Sequence, residues 1–204
     1  MSLGLMGGTF DPIHFGHLAA AEEVRAGFGL DKITFIPSAR PPHKQGKTIT
    51  DSEHRYTMAV LATVGNPFFE VSRVETDRPG PSYTIETVRH FKGLYPDQTV
   101  YFITGADAIL EMVTWRHPEE LLKMCEFIAV TRPGYDLKGL VALQETFGQD
   151  AVKKVHPYRV TALAISSSEL RHRVSQGRSI RYLVPEPVEE FIHKMGLYKK
   201  PEGS

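Results

Sequence analysis

Cysteine is almost absent from this chain of 204 residues, with Cys125 standing alone. One thiol cannot close an intramolecular disulfide, and without a CxxC or Cys/His cluster no structural zinc site is indicated. Cys125 lies among apolar neighbours and reads as a small buried hydrophobe. Charge of one sign is lacking too, because 24 Lys and Arg balance 24 Asp and Glu. That balance argues against life on bulk nucleic acid or an anionic membrane, although a local basic groove is compatible with it. No apolar run approaches the ~20 residues of a membrane helix, and no basic start followed by an apolar stretch suggests export. Together these absences point to the cytoplasm. The 41% hydrophobic fraction excludes disorder as the main state. The length fits one domain over 1–204, with a helical C-terminal part over about 166–198.

What is present is alternation. Short apolar runs at 3–6, 33–36, 69–74, 100–103 and 127–130 read as buried strands. Helical spacing recurs between them at 15–28, 52–64 and 118–124, and Ser82 is placed to N-cap a helix carrying Ile85, Val88 and Phe91. Residues 160–165 lead, as a strand end, into Ser166-Ser167-Ser168 and a further helix. Val188, Phe191, Ile192 and Met195 mark a closing amphipathic helix. Five or six strands with crossover helices predict an α/β, Rossmann-like doubly wound parallel sheet with a small C-terminal helical extension. The polar stretch 38–50, with two adjacent prolines, reads as an exposed loop long enough to serve as a lid.

The chemistry concentrates at Gly7-Gly8-Thr9-Phe10-Asp11-Pro12-Ile13-His14-Phe15-Gly16-His17, between the first strand and first helix, where open α/β sheets bind ligands. The glycines permit close backbone approach, and a helix starting near His14 or Phe15 aims free N–H groups into the crevice. His14 and His17, three apart, share a helix face and can donate hydrogen bonds to a polyphosphate. A dinucleotide loop would need Gly-x-Gly-x-x-Gly and a P-loop a lysine at the helix start; neither is present. The His pair could begin a zinc site, but no third ligand is evident, and two structural histidines are the plainer alternative. Asp11, beside Pro12, reads as fixing the turn rather than as a general base. His54, His90, His117, His156, His172 and His193 read as surface or structural.

This segment resembles the signature of the nucleotidyltransferase superfamily, whose H-x-G-H core is here His14-Phe15-Gly16-His17. Downstream, Ile165-Ser166-Ser167-Ser168-Glu169-Leu170-Arg171 is similar to the family's I-S-S-T-x-I-R, with Ser168 where threonine is commoner. Serine hydroxyls and helix-start N–H groups suit phosphate oxygens there, although a serine-rich N-cap with an exposed arginine would look alike. Pro41-Pro42-His43-Lys44, Ser82-Tyr83-Thr84, Gly105-Ala106-Asp107 with Trp115, and Thr131-Arg132-Pro133-Gly134 match elements of the bacterial nicotinate mononucleotide adenylyltransferases, in family order. The resemblance spans nearly the whole chain, and the length suits this subfamily better than the shorter pantetheine-phosphate enzymes.

The resemblance implies adenylyl transfer from ATP to nicotinate mononucleotide, with Mg²⁺ carried on the triphosphate and no metal cage in the protein. It implies that ATP is held by Gly7, Gly8, Thr9, Phe10, His14, His17, Gly105, Asp107, Ile165, Ser166, Ser167, Ser168 and Arg171, of which His14, His17 and Arg171 stabilise charge in catalysis. It implies acceptor contacts from Lys44, Tyr83, Thr84, Trp115 and Arg132. Each of these has a plain alternative: core packing for Trp115, helix capping for Thr84, a dipole-stabilised acid for Asp107, solvated cations for Lys44 and Arg132. Rival functions are transfer to nicotinamide mononucleotide or phosphopantetheine, or a nucleotide-binding regulator without turnover. A class I aminoacyl-tRNA synthetase fragment shares H-x-G-H, but its Lys-Met-Ser-Lys-Ser-type loop and anticodon domain are not found. The choice between monomer and homo-oligomer is left open.

Overall fold

The computed structural model describes residues 2–41, 48–131, 140–161 and 163–200. Six parallel strands form one sheet: β1 (Ser2–Gly8), β2 (Lys32–Pro37), β3 (Phe69–Val71), β4 (Thr99–Gly105), β5 (Glu126–Thr131) and β6 (Val155–Arg159). Their order is β3-β2-β1-β4-β5-β6. The chain moves outward from β1 in one direction and then returns to β4 on its other side. That reversal makes the crevice at the carboxyl ends of β1 and β4 the topological switch point, the usual ligand position in such sheets.

Helices cover both faces. One face carries α1 (Phe15–Phe28), α2 (Ser52–Thr63), α8 (Ser167–Ser175) and α9 (Glu186–Lys194); the other carries α3 (Thr84–Leu94), α4 (Ala106–Leu110), α5 (Pro118–Met124) and α6 (Leu140–Phe147), while α7 (Gln149–Val152) leads into β6. Strand residues divide between two cores by the two-residue period: Met6, Ile33, Phe35 and Ile103 face the first, and Leu5, Ile36, Phe102 and Phe127 the second. Leu170, Val174, Val188 and Ile192 from α8 and α9 join the first core. The C-terminal helices are therefore part of one of the two faces.

The expected helices over 15–28 and 118–124 and the expected strands 3–6, 33–36, 100–103 and 127–130 all lie within observed elements. Four expectations shift. The last strand is β6, over Val155–Arg159, whereas 160–161 and 163–165 are irregular. β6 contains Pro157, which an edge strand tolerates because one side of its backbone has no ladder to satisfy. Residues 72–74 lie beyond β3, which pairs with β2 only over Phe69–Val71. Ser82 is not the N-cap of α3: that position falls on Tyr83, and the Ser82 hydroxyl accepts from the Arg40 N–H at 3.1 Å instead. At the chain end Val188 and Ile192 are buried while Met195, just past α9, is 46% exposed. No helix among the described residues is long and apolar enough to cross a membrane.

Cys125 is 4% exposed, and its Sγ donates to the Leu121 carbonyl one turn back. Burial pushes the thiol up to about 12, so thiolate is scarce at ordinary pH. An alkylating reagent at pH 8 is expected to leave the native protein unlabelled and to label it fully in denaturant. Rapid labelling of the native fold, followed by mass spectrometry, would contradict this packing.

Candidate active site

The turn from β1 into α1 forms the centre of the crevice. His14 is the N-cap of α1, with extended backbone at φ −150° and ψ 169°, and its N–H donates to Nδ1 of His17 at 3.3 Å. An imidazole thus fills the role that a Glu or Gln plays in an ordinary capping box. The two rings stack with centroids 3.8 Å apart, and Phe10 meets His17 edge-on at 5.1 Å. Phe10 has φ +49°, an uncommon left-handed conformation for a bulky side chain. Its ring is 3% exposed, and core packing holds it there.

Distant groups pin this turn. Asp11 is 4% exposed; one carboxylate oxygen accepts from the Tyr198 hydroxyl at 2.7 Å, the other from the Thr50 N–H at 3.2 Å. Arg55, 1% exposed, donates to the carbonyls of Thr9, Thr50 and Ala39. Burial holds its pKa below the ordinary arginine value, against the pull of Asp11. The Ser38 N–H donates to the Gly8 carbonyl at 2.9 Å, and Ser167 Oγ to that of Pro12 at 2.9 Å. Asp11 therefore anchors the turn, in keeping with its expected role. Arg55 was not anticipated, although a charged residue at helical spacing from buried Met58 and Ala59 is a readable sign of a buried cation.

Two cavities meet over this turn. The larger, about 620 Å³, is lined by Gly7, Gly8, Phe10, His14, His17, Gly105, Asp107, Ile165, Ser166 and Ser167, among others. The second, about 320 Å³, is lined by Thr9, Glu75, Tyr83, Thr84, Phe102, Trp115 and Arg116, again among others. Gly7, Gly8 and Thr104 belong to both. At Gly7 an added Cβ would lie 2.8 Å from the Phe102 ring, so a side chain there would crowd the floor. Of the residues expected at ATP, Gly7, Gly8, Phe10, His14, His17, Gly105, Asp107, Ile165, Ser166 and Ser167 line the first cavity, whereas Thr9 lines only the second; of those expected at the acceptor, Tyr83, Thr84 and Trp115 line the second.

Ser168 and Arg171 do not line the larger cavity. The Arg171 guanidinium donates to the Asp11 carbonyl at 2.6 Å and to Ser168 Oγ at 3.3 Å. Ser166, the N-cap of α8, accepts from the Glu169 N–H, so its hydroxyl acts as a cap while its residue borders the cavity. Asp107 is exposed in the first turn of α4. Trp115 is half-buried, edge-on to Phe102 and Phe127, each at 6.2 Å. The Arg116 guanidinium lies 4.9 Å from the Tyr83 ring centre. Lys44, Arg132 and the middle of the 38–50 loop lie outside the described residues. Among the described residues no group of three or more His, Cys, Asp or Glu could hold a metal ion.

Comparison with known proteins gives the family and supports the fold. Residues 5–173 match the cytidylyltransferase-like family. A relative from Thermoanaerobacter sp. (strain X514), named "Probable nicotinate-nucleotide adenylyltransferase", is 52% identical over 99% of this chain and 96% of its own length. The chain belongs to the nicotinate-nucleotide adenylyltransferase family. A Moorella thermoacetica protein of the same name is also 52% identical, over 97% of this chain and 91% of its own. The Plasmodium falciparum nicotinic acid mononucleotide adenylyltransferase, solved with NaAD, superposes with TM-score 0.76 at 22% identity, covering 97% of each chain. At that identity the likeness speaks for the Rossmann-like fold alone.

In this family member, Tyr198→Phe keeps the ring and removes only the hydroxyl that Asp11 accepts. A hydrogen bond to a charged group is typically worth ~1.5–3 kcal/mol, and urea unfolding of the variant is expected to show a loss in that range. An unchanged midpoint would mean that Asp11 is held without Tyr198.

Proposed function

We infer that the chain catalyses adenylyl transfer from ATP to nicotinate mononucleotide, giving nicotinate adenine dinucleotide and pyrophosphate in NAD biosynthesis. Relatives named for this activity align over nearly the whole chain. The geometric observation that carries it is the pair of cavities joined at Gly7 and Gly8. An adenylyl transfer needs two substrates whose reacting phosphates converge on one stretch of backbone, and this arrangement provides it.

The reaction would be a single in-line displacement. A phosphate oxygen of the mononucleotide bonds to the α-phosphorus of ATP, the bond from that phosphorus to the bridging oxygen breaks, and pyrophosphate leaves with the electron pair. The attacking phosphate is already anionic near neutral pH, so no general base is required. What is left to the protein is alignment and stabilisation of charge on the leaving group.

His14 and His17, stacked at the cavity floor, are suited to donate to the triphosphate. Gly105 and Asp107 lie where a ribose hydroxyl would find an acceptor, and Ile165, Ser166 and Ser167 border the same cavity. Arg171, now on the Asp11 carbonyl, is assigned to the leaving phosphates, with Ser168 as its neighbour. In the second cavity the Trp115 indole offers a flat surface for the pyridine ring and Tyr83 a second one. The Thr84 N–H, at the start of α3, suits a carboxylate. Lys44 and Arg132 complete the proposal as phosphate-binding cations. Mg²⁺ is assigned to the triphosphate oxygens and water, arriving with ATP as part of the substrate.

The acid is favoured over the amide because relatives named for nicotinate align over nearly the whole chain; backbone N–H donors facing the ring substituent also suit a carboxylate, which accepts at both oxygens, better than a carboxamide, one side of which donates. Pyrophosphate release from Mg·ATP with nicotinate mononucleotide, nicotinamide mononucleotide and phosphopantetheine tests this directly. Release with the acid alone is expected. Equal release with the amide would overturn the acceptor assignment, and silence with all three from folded, ATP-binding protein would favour a regulator.

Two variants separate the compartments. His17→Ala is expected to lower kcat by about 10²-fold, the usual effect of losing one donor to developing charge, with little change in the mononucleotide KM. An unchanged kcat would remove His17 from the mechanism. Trp115→Ala is expected to raise the mononucleotide KM by about tenfold, the equivalent of one good stacking contact, leaving the ATP KM nearly alone. A defect confined to ATP would mean that the two compartments are assigned the wrong way round.

A further inference from the structure

Glu75 is a carboxylate with no obvious reason to be where it is. It sits in the irregular stretch after β3, is 6% exposed, and borders the same cavity as Tyr83, Thr84 and Trp115. A free carboxylate beside a site for an anionic acceptor would repel it unless its charge is engaged elsewhere. Thr87 Oγ1, in the first turns of α3 and wholly buried, donates to one Glu75 oxygen at 2.5 Å, and the nearby Ser82 hydroxyl favours the charged form. Burial still pushes the pKa of Glu75 up, opposed by these hydroxyls and by Arg78 and Arg55 nearby.

Ser82 and Thr87 flank Tyr83 and Thr84 in sequence, and Glu75 holds α3 on the Thr87 side of the pair that faces the acceptor cavity. Ser82 holds the other side. Its hydroxyl accepts from the Arg40 N–H at 3.1 Å, and its N–H donates to the Arg40 carbonyl at 3.0 Å. Two distant segments therefore hold the start of α3: the turn after β3 through Glu75 and Thr87, and the loop that leaves β2 through Ser82. The N-cap of α3, Tyr83, has no side-chain cap of its own. The orientation of this helix start is thus set by tertiary bonds and not by a local cap.

We propose that Glu75 is a positioning residue for acceptor recognition: through the buried hydroxyl of Thr87 it fixes the first turns of α3, and so sets the preference for an acid over an amide at Tyr83 and Thr84. The proposal rests on the adenylyl-transfer reading given above. Glu75 borders the acceptor cavity and acts there through α3, not on the reacting phosphates.

The test is Glu75→Leu, which keeps a similar volume but offers the Thr87 hydroxyl no acceptor. Thr87→Val, which removes the same bond from the other side, covers the case in which the first variant does not fold. Both KM values, kcat and the acid-to-amide ratio of kcat/KM are measured beside thermal unfolding. Either folded variant is expected to raise the nicotinate mononucleotide KM by about tenfold and to lower the acid-to-amide ratio comparably, as sub-ångström misplacement of a recognition group does. The ATP KM should stay within about twofold, since the ATP compartment uses other elements. Lower thermal stability with unshifted KM values and ratio would leave Glu75 a purely structural residue and overturn the proposal. So would a parallel rise in both KM values. A wild-type protein that releases no pyrophosphate with any acceptor would instead sink the adenylyl-transfer reading itself.

Discussion

The guanidinium of Arg55 and the carboxylate of Asp11 hold the turn on which the rest of the site depends. Between the end of β1 and the start of α1 the backbone makes no ladder and no helix, so its carbonyls must find partners elsewhere. Arg55 supplies donors to Thr9, Thr50 and Ala39, while Asp11 receives the Thr50 N–H and the Tyr198 hydroxyl. A buried guanidinium is unfavourable unless its donors are used, and here each of its three nitrogens meets a carbonyl. The result is a turn rigid enough to keep Phe10 at a positive φ and two imidazoles in contact.

That rigidity matters because the inferred chemistry requires placement above all. No covalent intermediate is invoked, and the attacking group needs no deprotonation. Rate enhancement in such a reaction comes from donors already aimed at where charge will develop. The same logic extends to the second compartment, where Glu75 orients the start of α3 through the buried Thr87 hydroxyl. In each compartment a buried charged residue with hydrogen bonds to the fold supports the residues that line the cavity.

Much of this was legible in the chain because it is written locally. Alternating strand runs and helical spacing foretold the sheet, since burial on both faces requires apolar runs of that length. The two glycines, the H-x-G-H element and the serine run marked the crevice, because close approach to phosphate restricts which residues can stand there. Local patterns failed where long-range partners decided the outcome. Ser82 reads as a cap by type, but the Arg40 backbone takes its hydroxyl and moves the N-cap to Tyr83. β6 carries a proline and polar residues because it lies at the sheet edge, so it lacks the apolar run that announces a central strand.

By itself, then, the order of residues determined the fold class, the position of the crevice and the residue types that surround it. Those follow from periodicity and from the steric and hydrogen-bonding demands of short segments. Only the tertiary structure decided which distant groups hold that crevice in shape. Arg55, Glu75 and Tyr198 bond across separations of many residues, and no local pattern specifies the partner. It also decided that Arg171 rests on the Asp11 carbonyl, outside the lining of the larger cavity. A hydrogen bond between remote segments exists only once the sheet has brought them together, which is why it cannot be read from either segment alone.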